Sequence, residues 1–337
     1  MKNIIISDPS LRDGNHAVSH KISLSQIERY CKFAESAGIP IIEVGHGNGL
    51  GASSLLIGQS IHTEEEMIKT ARNVLKNTKL CVHSIPGLST IKRNIIPAID
   101  LGVDIFRIAS HCTEATVTKT HIEYVKNRNK TVYGVLMMSA LADTATLVSE
   151  AKKMESYGAE ALIIMDSTGT YIPTEVADRI KALKDNLSIL VGFHGHNNLN
   201  MAIINSIVAV QNGADIIDAC IRGFGAGAGN TQLEIIVPVL YKYGYTTSID
   251  FNKLIIEADN VMSYLMNTTP IPAPINILTG LNKLFSGFEK PIIKASKLNG
   301  IEYSSLIFEL GNRKLIAGQE DLIFQIAESI KTNKKNE

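Results

Sequence analysis

The chain has 337 residues, 45% of them apolar and 20% charged, with 33 Lys plus Arg balancing 33 Asp plus Glu. Such a composition is ordinary for a globular protein and supplies no basic field for nucleic acid or anionic lipid. No apolar run approaches the ~20 residues of a membrane helix. The burst after Met1 is too short for a signal peptide, and four scattered cysteines without a CxxC fit reduced thiols in a cytoplasmic protein.

In chain order, short Ile- and Val-rich runs at 3–7, 40–44, 80–84, 104–109, 132–137, 159–165, 188–193 and 215–221 read as strands. Each is followed by an amphipathic stretch: 24–37, 63–76, 90–101, 114–127, 143–157, 173–185, 198–212 and 230–243. Near-continuous apolar strands alternating with helices are the pattern of parallel strands covered on both faces. Eight such pairs predict an α/β fold, a (β/α)8 TIM barrel over 1–247. An open doubly wound sheet is the alternative, but no GxGxxG follows the first run. From 248 the alternation stops, and helical patterns at 251–267, 275–287, 288–298, 302–310 and 318–332 surround a Pro-containing connector, 268–274. A smaller helical C-terminal domain over 248–337 is therefore expected, ending in a charged tail at 331–337.

A barrel enzyme works at the carboxyl ends of its strands. His16, His46, His83, His111, His194 and His196 all fall at or just beyond such ends, with Arg12, Asp13 and Asp166 at equivalent places. In Phe193-His194-Gly195-His196 the two imidazoles are two residues apart on a strand and so share one face. Asp13 supplies the carboxylate of a two-His, one-carboxylate set, suited to Mn²⁺, Mg²⁺, Co²⁺ or Zn²⁺. Arg12 places a permanent positive charge where an oxygen turns negative, and His16 titrates near neutrality as a base or acid. The bland alternative is an Arg12–Asp13 structural ion pair with His16 capping a turn. The Gly-rich run 223–229 before Asn230 reads either as an anion-binding turn or as a tight turn with Asn230 as N-cap. Asp166-Ser167-Thr168-Gly169 offers a carboxylate and hydroxyls, or simply a turn.

At these residues the chain resembles the metal-dependent pyruvate aldolases, specifically the 4-hydroxy-2-oxovalerate aldolase family, within a wider set of TIM-barrel enzymes that includes hydroxymethylglutaryl-CoA lyase. LRDG and HGH are shared with that wider set. HGNGL, HCTEA, LMMS, GFGAGAGN and AGQEDLI are the elements specific to the aldolase branch, and together they span nearly the whole chain. The resemblance implies that Asp13, His194 and His196 bind a divalent metal, Mn²⁺ foremost, that Arg12 stabilises a pyruvate enolate, that His16 is the base, and that Ser167 lies against the pyruvate moiety. It implies cleavage of a 4-hydroxy-2-oxoacid to pyruvate and an aldehyde, in an oligomer whose C-terminal domain meets an acylating aldehyde dehydrogenase. Competing readings are a Claisen-type acyl-CoA lyase or synthase on the same scaffold, or a non-catalytic subunit that organises a dehydrogenase. Two positions depart from the family pattern: Phe285 stands where the family has a Tyr pointing into the site, and His83 interrupts a run of leucines. A more polar aldehyde pocket and weaker stereochemical control are the expectations.

Overall fold

The computed structural model describes residues 1–316 and 318–336, with only the backbone described over 333–336, so Ala317 of the AGQEDLI motif and Glu337 of the charged tail lie outside the described residues. Eight strands, β1 (Ile5–Leu11), β2 (Ile41–Val44), β3 (Lys79–Ser84), β4 (Ile105–His111), β5 (Thr131–Met137), β6 (Ala161–Asp166), β7 (Leu190–Gly195) and β8 (Ile216–Asp218), close in chain order into a parallel TIM barrel. β1 and β8 seal it, with Ile6 opposite Ile217 and Ser7 opposite Asp218. The helices between strands start and stop where their sequence says. Ser23 and Gln26 form a capping box at Leu24–Ala37, which ends at Gly38 with φ 73°, and Thr63 and Glu66 do the same for Glu64–Val74.

Side chains alternate across each strand. Ile42, Phe106, Ile108, Val191 and Phe193 therefore belong to the outer cluster beneath the helices, while Ile41, Cys81, Ile105, Ala161, Ile163 and Ile216 form an apolar plug in the lumen. Two residues further along the same inward faces come Glu43, His83, Arg107 and Asp218, all buried. The lumen thus changes from apolar to charged along the strand direction.

Four of the boundaries that differ from the sequence expectation have a visible cause. β1 begins later and runs through Asp8-Pro9-Ser10, because the polar pair is satisfied internally: Ser10 N–H donates to Asp8 Oδ1 at 2.9 Å and Tyr30 O–H to Asp8 Oδ2 at 2.6 Å. The β1–β2 register shifts between Asp8 and Leu11, around a proline that has no N–H to give. β8 is cut short because the chain leaves the sheet after Asp218, and Arg222 takes φ 52° in a following turn. The helix expected from 198 begins at Ala202, its N–H held by Asn197 Oδ1 at 3.2 Å, and the one expected from 230 begins at Leu233.

Beyond the barrel, Pro274–Leu281, Glu289–Asn299, Tyr303–Asn312 and Glu320–Asn336 surround a second cluster that includes Leu284, Phe288, Ile292, Leu306, Ile307 and Ile323. The helix Phe251–Asn260 does not belong with them, since Leu254, Ala258, Val261 and Met266 join the barrel's own core. We therefore propose the domain division within 267–274 rather than after 247. Ser286 of the second domain donates to Ser167 O through both N–H (3.2 Å) and Oγ (2.9 Å), and Asn198 Nδ2 donates to Asn276 O at 2.9 Å, which seats that domain over the barrel mouth. Among the described residues no helix is long and apolar enough to cross a membrane.

Phe193 is fully buried, and its ring lies where a side chain on Gly195 would collide. Phe193→Ala should cost about 3–5 kcal/mol, read as a lower urea midpoint at unchanged slope. A loss below about 1 kcal/mol would contradict this packing.

Candidate metal centre and active site

His194 points inward from β7, and His196 follows just past the strand end. Their Nε2 atoms face each other at 3.3 Å. Asp13 lies two residues beyond β1, ahead of the short helix Gly14–Ala17. One ligand atom from each of Asp13, His194 and His196 lies within 4.8 Å of the others, and all three residues are buried. His194 Nδ1 sits 2.9 Å from Asp218 Oδ2. With Nδ1–H donating to that carboxylate, the ring presents the Nε2 lone pair to the centre, as metal-bound histidines do. Burial pulls His196 down to about 3, Asp13 opposing and His194 and Arg12 adding, so this ring too offers a lone pair at neutral pH. Burial works against ionising Asp13, but Arg12 and the neighbouring histidines outweigh it and hold the carboxyl far below the usual carboxylate range.

Behind these three groups runs a continuous chain of buried charges. Arg12 Nη1 donates to Asp13 Oδ1 at 2.7 Å, and Arg12 Nε donates to Glu43 Oε1 at 3.0 Å. Arg107 Nη1 donates to Glu43 Oε2 at 3.1 Å, and Arg107 Nη2 to Asp218 Oδ2 at 2.6 Å. Three carboxylates thus face two guanidiniums, which leaves one negative charge over among buried groups. Burial of uncompensated charge is costly, and a divalent cation between Asp13, His194 and His196 would reverse the sign of that excess. The donor set and the charge balance both fit such an ion. Arg12 Nη2 is buried with no partner. It is a donor held ready for an anionic oxygen.

Glu43, Arg107 and Asp218 were not singled out from the sequence. Their signal was a charge set inside an apolar strand, as in Ile41-Ile42-Glu43-Val44 and Ile216-Ile217-Asp218.

The Gly-rich run does not cap the next helix through Asn230; the anion it holds is the protein's own Asp13 carboxylate. Asn230 Nδ2 donates to Asp13 Oδ2 at 2.6 Å and Ala226 N–H to the same oxygen at 3.2 Å, so the loop wraps the carboxylate. A Cβ on Gly225 would stand 2.6 Å from Asp13 Oδ2, so glycine is what lets the backbone come so close. The following helix has Gln232, not Asn230, at its cap position, without a side-chain bond. Asp166 is a turn-former: it accepts from Thr168 Oγ1 (3.0 Å), Thr170 N (3.2 Å) and Tyr171 N (3.0 Å). Ser167 is buried, and its Oγ accepts from Met138 N–H at 3.0 Å, leaving the hydroxyl proton for another partner.

His16 rises from the Gly14–Ala17 turn against Gly47, where any Cβ would fall 2.5 Å from its Nε2. Burial pulls it down to about 4, with Asp13 opposing and Arg12 and His46 adding, so the ring is neutral at pH 7 and able to accept a proton. Phe285 lies edge-on to it at 6.2 Å between centroids. His20, which the sequence reading passed over, lies 5.2 Å from His16 and stacks on His46 at 3.7 Å. His46 itself supports the loop after β2, accepting from Asn48 N at 3.1 Å and pairing through Nε2 with Gly58 O at 3.0 Å. His83 is buried 3.5 Å from Glu43 Oε1 with no hydrogen bond at Nδ1, and burial followed by the two guanidiniums holds it well below its usual value. His111 instead bonds Thr113 Oγ1 at 2.8 Å. Of the six strand-end histidines, the ligand cluster takes His194 and His196, and His16 stands close enough to Asp13 to feel its charge.

Two family models cover the chain, HMGL-like over residues 3–261 and a DmpG-like communication domain over 271–332. A 4-hydroxy-2-oxovalerate aldolase of Spirochaeta aurantia is 51% identical over 329 residues, 98% of this chain and 96% of its own. One from Pectobacterium atrosepticum is 50% identical over 335 residues, covering 99% and 98%. The carboxyl transferase domain of Rhizobium etli pyruvate carboxylase superposes with a TM-score of 0.81 at 15% identity, covering 99% of this chain and 61% of that one, which is a likeness of fold alone. Motifs, barrel and identity across nearly the full length agree: the chain belongs to the 4-hydroxy-2-oxovalerate aldolase family of HMGL-like barrel enzymes.

Proposed function

We propose that this protein is a carbon–carbon lyase that cleaves, or in reverse forms, a 4-hydroxy-2-oxoacid to give pyruvate and an aldehyde. The observation that carries this reading is the buried Asp13–His194–His196 cluster beside an Arg12 whose Nη2 has no protein partner. A divalent cation there, Mn²⁺ by preference, supplies Lewis acidity to the 2-oxoacid group. The protein's own residues supply the rest. His16, neutral and half-buried, takes the proton of the 4-hydroxyl. As the C3–C4 bond breaks, its electron pair moves into the pyruvate skeleton and the aldehyde departs. Arg12 Nη2 donates to the 2-oxygen as it becomes an enolate, and protonation at C3 completes pyruvate. The free hydroxyl proton of Ser167 suits a carboxylate oxygen of the same fragment.

The aldehyde half meets His83 and Phe285. A neutral, unpaired imidazole at residue 83 favours a larger or hydroxylated aldehyde, and Phe285, lacking a phenolic hydroxyl, leaves the aldehyde carbon less firmly oriented. The communication-domain model over 271–332, with Ile277, Leu281 and Phe308 exposed on its helices, supports docking of an acylating aldehyde dehydrogenase that would take up the aldehyde. Four buried free cysteines suit a reducing, cytoplasmic setting.

His194→Ala should abolish stoichiometric Mn²⁺ binding in calorimetry and lower pyruvate formation, followed with lactate dehydrogenase, by at least about 100-fold. Unchanged binding and turnover in that variant would refute the metal assignment. Catalysis needs neutral His16, whose pKa is lowered from 6.5 to about 4, so kcat should hold as pH falls through 6.5 and decline only well below it. An acid limb centred at or above 6.5 in that profile is the contrary result. His83→Leu should raise kcat/KM for 4-hydroxy-2-oxovalerate relative to a polyhydroxylated 2-oxoacid by roughly tenfold; an unchanged ratio would remove His83 from the aldehyde pocket.

A further inference from the structure

The turn that carries His16 is held from outside the barrel. Gly14–Ala17 is a single helical turn, too short to satisfy its own last carbonyls, which must find donors elsewhere. Lys290 Nζ donates to Ala17 O at 3.3 Å and to His16 O at 2.8 Å, the latter also accepting from Ser19 N–H at 3.3 Å, and the same ammonium donates to Ser19 Oγ at 2.9 Å. An ammonium has three hydrogens, and here one turn receives all of them. Ser19 and His20 both adopt left-handed backbone, with φ 55° and 60°. Residues other than glycine keep that conformation only where their surroundings hold them in it.

Lys290 belongs to the second domain, on the helix Glu289–Asn299, five residues after Phe285. That domain therefore touches His16 twice, through the Phe285 ring at 6.2 Å and through Lys290 on the backbone of the same residue. His20 and Gly47 close the ring's other sides.

We propose that Lys290 is a positioning residue for the base, tying the His16–Ser19 turn to the C-terminal domain so that the imidazole's place over the reacting hydroxyl depends on how that domain sits. This rests on the reading of His16 as the base, so the test must separate the two. Oxaloacetate provides the means. Its decarboxylation breaks the C3–C4 bond with release of CO₂ and forms the same pyruvate enolate at Arg12, but no hydroxyl proton has to be removed. A misplaced His16 slows aldol cleavage alone, whereas general damage to the barrel slows both reactions.

Lys290→Met keeps the aliphatic stem and removes the donors; Lys290→Arg keeps donors. With metal-loaded protein, Lys290→Met should lose about tenfold in kcat for 4-hydroxy-2-oxovalerate cleavage, with KM and oxaloacetate decarboxylation changed less than about twofold, and Lys290→Arg should recover most of the loss. In metal-free protein the ¹⁵N resonances of the His16 ring should move in Lys290→Met while those of His111 stay. His16→Ala is the comparator and should also lose cleavage selectively. If His16→Ala loses cleavage but Lys290→Met leaves it intact, or Lys290→Met lowers both reactions equally, the positioning role is overturned while the base stands. If His16→Ala spares cleavage, the base assignment falls and this proposal with it.

Discussion

Asp13, Arg12, Glu43, Arg107, Asp218 and His194 form one unbroken line of hydrogen-bonded charge across the barrel, and everything the site can do follows from it. These groups come from β2, β4, β7, β8 and the turn after β1, so the line exists only when the barrel is closed. None is more than 4% exposed. Charges so deep are tolerated because each has a partner, and removing a single member would strand its neighbour at a cost of about 3–5 kcal/mol. The network is therefore a constraint on the fold as much as a feature of the site. Its surplus negative charge favours a divalent cation. Once that cation is counted the surplus becomes positive, which a monoanionic 2-oxoacid would cancel.

Geometry divides the work into a floor and a rim. The floor is set by strands, whose alternation places Glu43, Arg107 and Asp218 one inward step above the apolar plug, and by glycines that let backbone approach. The Gly-rich loop approaches Asp13 closely enough for Ala226 N–H and Asn230 to fix one carboxylate oxygen while Arg12 fixes the other. A carboxylate restrained from both sides has little freedom to rotate away from a ligand, which is preorganisation obtained from hydrogen bonds rather than from a bound ion. The rim is built from loops and from the second domain. Its contacts, such as Ser286 with Ser167 and Lys290 with the His16 turn, cross between two separate hydrophobic clusters.

The barrel could be read in the sequence because its signal is periodic and repeated eight times, so an error of a few residues in one strand leaves the count intact. The failures are local and share a cause. Asp8-Pro9-Ser10 has the composition of a turn, and the partner that lets Asp8 be buried in a strand, the Tyr30 hydroxyl donating to its second oxygen, lies twenty-two residues away. Asn230 has the look of an N-cap because the helix follows it, but its partner is 217 residues earlier. Glu43, Arg107 and Asp218 were visible as charges in apolar strands, yet a lone buried charge says nothing about which other strand holds its counterion. The His-x-His pair was legible since both partners lie on one strand. Lys290 gave no signal, being one more lysine on an amphipathic helix until the fold brings it to the end of another.

His83 belongs to the layer of the floor yet adds no charge to it. It stands on the inward face of β3, beside Glu43 and in the field of Arg12 and Arg107. A charged group there would disturb the balance on which the cation depends, and a third cation would compete with Arg12 and Arg107 for Glu43. Burial and those two arginines keep the imidazole neutral. A neutral ring brings one donor and one acceptor toward the aldehyde half of the site without changing the number of charges in the floor. On the proposed reading, the enolate sees the same Arg12 and Asp13 whatever aldehyde leaves, and only the substituents on C4 meet residue 83. Polarity without charge is thus the form of change this position can accept, since it alters which aldehyde is welcome while leaving the electrostatics of bond breaking where they were.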